Sequence, residues 1–177
     1  FTEMQEGATR IKRIVDDLKD FARKDSSELT EKVNLNVVVD AAVRLVENSI
    51  KKATNHFNID CSEQLPTFKG NSQRIEQVII NLLLNACQAL STPDQGIFIR
   101  TYLEGNGREI VLEVKDEGVG IAPSQLAHLT DPFYTTRREQ GGTGLGLSIS
   151  AGIIEEHHGR LHFNSDSGVG TIVSLHL

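Results

Sequence analysis

Residues 97–103 and 109–115 alternate apolar and polar side chains, and only the two-glycine stretch Glu104–Arg108 separates them. So short a connection returns the chain antiparallel, because a parallel partner needs a crossover of about a dozen residues or more. A second pair of alternating segments, Leu161–Ser165 and Thr171–Leu177, is joined around Gly168 and Gly170. Three stretches carry apolar residues at helical spacing. The first begins near Asn34–Asn36 and includes Val38, Ala42, Leu45, Val46 and Ser49. The second runs from a cap at Asn71 or Ser72 to about Leu90, and the third from about Leu145 to His157, ending at Gly159 as a C-cap. Phe57–Cys61 and Pro66–Lys69 read as short extended segments, and residues 118–143, rich in Gly, Pro and Thr, as loop. Helices and strands thus come in blocks. The pattern predicts an α+β fold, a two-layer sandwich of a mixed, mainly antiparallel sheet covered by helices, and excludes a parallel doubly wound one.

Ahead of this lies a heptad: Met4, Ala8, Ile11, Val15, Leu18 and Ala22 share one seam, which Ile14 and Phe21 widen. A helix over residues 1–24 would be about 36 Å long at 1.5 Å per residue. It needs a partner helix, a second copy of the chain, or both, to bury that seam; packing on its own domain is the alternative. The polar stretch Lys24–Lys32 then reads as a linker, so the expected division is a bundle helix and linker over 1–33 and a globular domain over 34–177. The chain opens on Phe1 with nothing like a signal peptide, as expected of a fragment whose missing neighbours could include a membrane segment. A net charge of −6 argues against nucleic acid as a partner, since phosphate backbones are held by clustered Lys and Arg. Cys61 and Cys87 stand apart, with neither redox nor zinc spacing, and read as two thiols in a reducing compartment.

Four segments carry chemistry. On the helix 72–90, Asn81, Asn85 and Gln88 fall at i, i+4 and i+7 beside an apolar stripe. A solvated face explains one asparagine, whereas three amides in register point equally to a polar strip facing a cleft. Amide oxygens are hard donors that suit Mg²⁺, which keeps several waters and shares substrate phosphates. Asp116-Glu117-Gly118-Val119-Gly120 follows an alternating strand, where an Asp can accept from an exocyclic amine and glycines let backbone approach a flat ring. An ordinary strand-terminating turn has the same pattern. Gly141–Ser148 is a glycine-dense loop running into a helix, which presents free N–H groups and the positive end of a dipole to an anion. It has neither the Gly-Lys-Ser/Thr of a P-loop nor the dinucleotide glycine spacing. A flexible linker would fit its glycines but not Leu145 and Leu147. Between these turns, Asp131–Arg138 joins an aromatic pair to two hydroxyls and two guanidinium groups, the composition of a lid over phosphates or of a plain exposed loop.

Taken in order, these segments resemble the histidine kinase branch of the superfamily that also includes gyrase, the heat-shock chaperone ATPases and the mismatch-repair ATPases. Asn81-Leu82-Leu83-Leu84-Asn85-Ala86 is similar to that family's N box, Asp116–Gly120 to its first glycine box, Pro132-Phe133-Tyr134-Thr135-Thr136 to its F box and Gly142–Ser148 to its second glycine box. Gly168-Val169-Gly170-Thr171 matches the turn before the final strand. The resemblance covers about residues 34–177 and implies a histidine kinase ATPase-like fold. It implies that the heptad segment is the second helix of a dimerisation and phosphoacceptor hairpin.

Residue by residue, the resemblance implies that Asp116 reads the adenine amine with Thr171 beside the ring. Asn85 would be the main Mg²⁺ ligand, with Asn81 next to the metal or the phosphates and in a catalytic role with Arg137. Gly142, Gly144 and Gly146 would hold phosphate oxygens through backbone N–H groups, together with Thr143, Leu145 and Leu147. Gly118 and Gly120 would shape the adenine end, and Thr135, Thr136 and Arg137 would belong to the lid. Gln88 stands where many members carry a phosphate-contacting Lys, so Arg137 or Arg138 would have to supply that charge.

The implied activity is transfer of the ATP γ-phosphoryl group to a histidine, then to an aspartate of a separate response regulator. The implied setting is a cytoplasmic domain of a homodimer that is membrane-anchored in some parents. The family's acceptor His, followed by an acidic residue on the first hairpin helix, has no counterpart among the six histidines. Two other readings compete. A hydrolysing ATPase of the same superfamily has a Glu at the position of Asn81, and an amide cannot accept water's proton; losing a general base costs about 10²–10⁴ in rate. A non-catalytic nucleotide-binding or dimerisation module would bind nucleotide without ever phosphorylating an acceptor.

Overall fold

The computed structural model describes residue 15 and residues 29–105, 109–136 and 142–177. The expected dimerisation helix therefore lies outside the described residues, apart from Val15, which is helical. The elements are β1 (Glu31–Val33), α1 (Leu35–Ala53), β2 (His56–Cys61), β3 (Phe68–Gly70), α2 (Ser72–Ala89), β4 (Gly96–Glu104), β5 (Glu109–Asp116), α3 (Pro123–Leu126), α4 (Gly146–Glu156), β6 (Arg160–Asp166) and β7 (Gly170–His176).

Five strands form the main sheet in the order β2-β4-β5-β7-β6. Both hairpins are antiparallel, as their short turns require, and β5 and β7 also pair antiparallel. The one parallel contact, β2 with β4, is reached by a crossover through α2. α1, α2 and α4 cover one face of the sheet, and the core fills the space between with Val39, Ile75, Ile79, Leu83, Ile99 and Leu112, all but excluded from solvent. That is the sandwich expected from the pattern of elements.

Three local features differ from expectation. Residues 31–33, read as linker, form β1 against β3, and Val33 is buried, so the domain begins before residue 34. Three residues are too few to show alternation. Within the expected loop, Pro123–Leu126 makes one helical turn. The third correction concerns the end of α4. His158, not Gly159, takes the left-handed conformation, with φ 60°. Its N–H donates to the Glu155 carbonyl and the Gly159 N–H to the Ile154 carbonyl, each at 2.9 Å, the paired bonds of a Schellman motif. Gly159 serves a different need, because a Cβ there would lie 2.2 Å from the His176 carbonyl oxygen.

The same helix end pins α2 in place. Asn71 caps α2 by accepting the Arg74 N–H at 3.0 Å, and its own N–H donates to His157 Nε2 at 2.9 Å. His157 Nδ1 lies 2.7 Å from the Ile153 carbonyl, so it carries the proton and the ring is neutral. Burial pushes its pKa below the ordinary value of 6.5. In the unfolded chain the ring takes a proton as pH falls through that value, while the folded ring resists until its own lower pKa is reached. Stability is therefore complete above about 6.5 and declines below it. The melting temperature of the wild type is expected to fall more steeply between pH 7.5 and 5.5 than that of His157→Asn, which lacks this titration; parallel curves would count against the linkage.

Candidate functional site

Sheet register builds the floor of a cleft. On the helix-facing side, Asp116 of β5 pairs with Thr171 of β7, which pairs with Ser165 of β6. The next row along carries Val114, Val173 and Phe163. A polar row thus borders an apolar one, as a ring with a polar edge would need. Ser165 Oγ accepts the Ile121 N–H and donates to the Gly170 carbonyl, both at 2.8 Å. Its single proton is then spent, so the 2.9 Å contact between the hydroxyls is donated by Thr171, whose lone pairs remain as acceptors. Asp116 is only 6% exposed, and its Oδ1 accepts the Gly118 N–H at 2.9 Å. The carboxylate at the end of β5 is therefore held in one orientation by the turn that follows it.

The walls come from α2 and from the loop entering α4. α2 and α4 run antiparallel: the far end of α4 meets Asn71 and Arg74, while its first residue, Gly146, lies against Asn81. The Asn81 amide Nδ2 donates to Ser150 Oγ at 3.0 Å, which turns Oδ1 toward Gly146. The first-turn N–H groups of α4 have no partner within the helix, and the positive end of its dipole opens beside the amide strip. Opposite, the Phe133 N–H donates to the Gly144 carbonyl at 2.9 Å, which ties the F-box-like segment to the glycine loop. Phe133 is itself in the left-handed region at φ 66° and half exposed, a strained placement of the kind found at functional segments.

These pieces enclose one cavity of about 890 Å³. Asn81, Asn85 and Gln88 line it from α2; Asp116, Gly120 and Thr171 from the sheet end. Thr135 and Thr136, then Gly142, Thr143, Gly144, Gly146 and Leu147, line it from the loops. Two expected residues do not. Leu145 is 1% exposed, a core peg that anchors the glycine loop, and Gly118 is packed on the Ala89 carbonyl, to which the Val119 N–H also donates. Arg137 and Arg138 lie outside the described residues. Ser165, Phe163 and Val173 were not foreseen; Ser165 had a signal, being a polar residue in the inward series Leu161, Phe163, Ser165.

The donor set fits Mg²⁺. One or two amide oxygens, with no second carboxylate among the described lining residues besides Asp116, leave most of the coordination sphere to water and phosphate. Cys87 also lines the cavity, but burial pushes its thiol upward, as it does for Cys61, so neither is a ready nucleophile.

The family described as histidine kinase-, DNA gyrase B-, and HSP90-like ATPase matches residues 70–177. A sensor protein of Shewanella frigidimarina is 41% identical over 97% of this chain and 26% of its own length. The sensor histidine kinase ZraS of Escherichia coli K12 is 32% identical over 98% of this chain and 36% of its own length. The chain thus spans about a quarter to a third of these relatives. Among solved structures, the catalytic domain of histidine kinase ThkA, in a nucleotide-free form, is 28% identical with a TM-score of 0.71, covering 83% of this chain and 93% of that one.

Proposed function

The chain belongs to the family of histidine kinase-, DNA gyrase B- and HSP90-like ATPases, and from that premise we propose that it is the ATP-binding catalytic domain of a two-component sensor histidine kinase. The reaction is transfer of the γ-phosphoryl group of ATP to a histidine on a dimerisation hairpin of the same protein, and from there to an aspartate of a response regulator. The observation that carries this reading is the meeting of the amide strip, the Asp116–Thr171 pair and the second glycine loop on one cavity.

Each part has a physical role. Asp116 accepts the adenine amino group, Thr171 supplies lone pairs beside it, and Phe163 and Val173 cover the ring face. Backbone N–H groups at the start of α4 bind phosphate oxygens, with Thr135 and Thr136 on the facing segment, and Arg137, outside the described residues, keeps the phosphate-side role that the resemblance implies. Asn85, with Asn81 adjacent, would hold Mg²⁺, which neutralises phosphate charge when bound. The acceptor imidazole nitrogen forms the new P–N bond as the bond from γ-phosphorus to the bridging oxygen breaks and ADP leaves. Such transfer asks mainly for positioning and charge neutralisation, and a neutral imidazole is already nucleophilic near pH 7. Asn81 disfavours hydrolysis, because its amide donates to Ser150 and offers no base for water.

ATP use would put this domain in the cytoplasm, and dimerisation would run through the heptad segment, residues 1–24. No helix among the described residues is long and apolar enough to cross a membrane. The test is to mix the chain with a separate hairpin carrying the acceptor helix, ATP and Mg²⁺. Acid-labile phosphate is expected on the hairpin and none on this chain, whose His157 is locked between α2 and α4. Nucleotide binding without any transfer would favour the non-catalytic module.

A further inference from the structure

We infer that Lys52, on α1, supplies the cationic phosphate contact that Gln88 cannot make. The inference rests on the nucleotide reading above and adds a residue to it. Lys52 lines the same cavity as Asn85 and Gln88, although it lies on a different helix and more than thirty residues upstream. Among the described residues that line the cavity, it is the only Lys or Arg. Its neighbour Lys51 is committed elsewhere, to Glu47 at 2.6 Å, whereas Lys52 has no ion pair among the described residues.

The fold explains how α1 comes to serve a site built on α2. The two helices lie side by side with their C-terminal ends together. Beyond them, the Asn55 N–H donates to the Pro93 carbonyl at 2.9 Å and Thr54 Oγ1 donates to the Gln95 carbonyl at 2.5 Å. The last turn of α1 is thereby brought to the level of Gln88, and Ser49 and Ala53 line the cavity with Lys52. A compact ammonium on a flexible four-carbon stem suits a phosphate chain that enters after folding. Gln88 has an amide there, which donates but adds no charge. Lys52 also sits where any helix C-terminus favours a cation, so a purely structural role is the alternative to separate.

Calorimetry with Mg·ADP and with adenosine, on the wild type, Lys52→Met and Lys52→Arg, separates the two. Lys52→Met is expected to weaken ADP on the order of tenfold, since the contact is charge-assisted yet solvent-exposed. Adenosine affinity should stay constant, Lys52→Arg should restore most of the loss, and ADP binding by Lys52→Met should depend less on salt. Unchanged ADP affinity, or equal losses for ADP and adenosine, would overturn the assignment. A wild type that binds no ADP would instead overturn the nucleotide reading itself, and this proposal with it.

Discussion

Asp116→Ala is expected to lower adenine-nucleotide affinity by about 100-fold or more while the domain still folds. A hydrogen bond to a charged acceptor contributes about 1.5–3 kcal/mol, roughly 10- to 150-fold in affinity. Two circumstances place this one at the upper end. The carboxylate is almost fully buried, so water does not substitute for it once the ring is bound. It also accepts the Gly118 N–H, so its removal loosens the turn that borders the ring. Asp116→Asn separates these effects, because an amide oxygen still accepts from Gly118 but the charge is gone. Calorimetry with Mg·ADP should show a large loss in both variants, and the melting temperature should fall less in Asp116→Asn. Undiminished affinity in Asp116→Ala would remove the adenine assignment.

Most of the candidate site is legible because its residues violate the local pattern around them. Asn81, Asn85 and Gln88 interrupt an apolar helix, and the glycines of 142–146 interrupt what would otherwise be the approach to another. The leucines inside that loop were the clue against a linker, and Leu145 turns out to be its anchor in the core. What stayed illegible arises only after strands pair. Phe163 and Val173 are ordinary inward residues until the register sets them beside Val114, one row from Asp116. Lys52 is one of two adjacent lysines on an amphipathic helix, and nothing local distinguishes it from Lys51. β1 has three residues and no alternation, and the left-handed residue that ends α4 is His158, one before the glycine to which the sequence points, since a non-glycine residue seldom adopts positive φ.

One substitution made at two glycines separates fold from site, because a Cβ meets backbone at one and a rotatable side chain at the other. At Gly118 the new methyl would lie 2.4 Å from the Ala89 carbonyl oxygen and 2.6 Å from its carbon. Both sides of that contact are main chain, and the Val119 N–H bond to the same carbonyl allows little shift. Gly118→Ala is expected to cost about 1–3 kcal/mol of stability, as overpacking generally does. For a domain of this size, that is roughly 3–10 °C in melting temperature. At Gly146 the methyl would lie 2.5 Å from Asn81 Oδ1, the far end of a side chain that can swing away. The fold should survive with little change in melting temperature. The amide, however, must leave Ser150, and the gap between α2 and the first turn of α4 closes on the position proposed for the phosphates. Gly146→Ala is therefore expected to lose phosphoryl transfer to a supplied hairpin by about 10²-fold, the scale of misplacing one group at a reacting centre. Melting curves and transfer assays on both variants decide the matter. If Gly146→Ala transferred phosphate at the wild-type rate, Asn81 and the helix start would not form the phosphate end of the site.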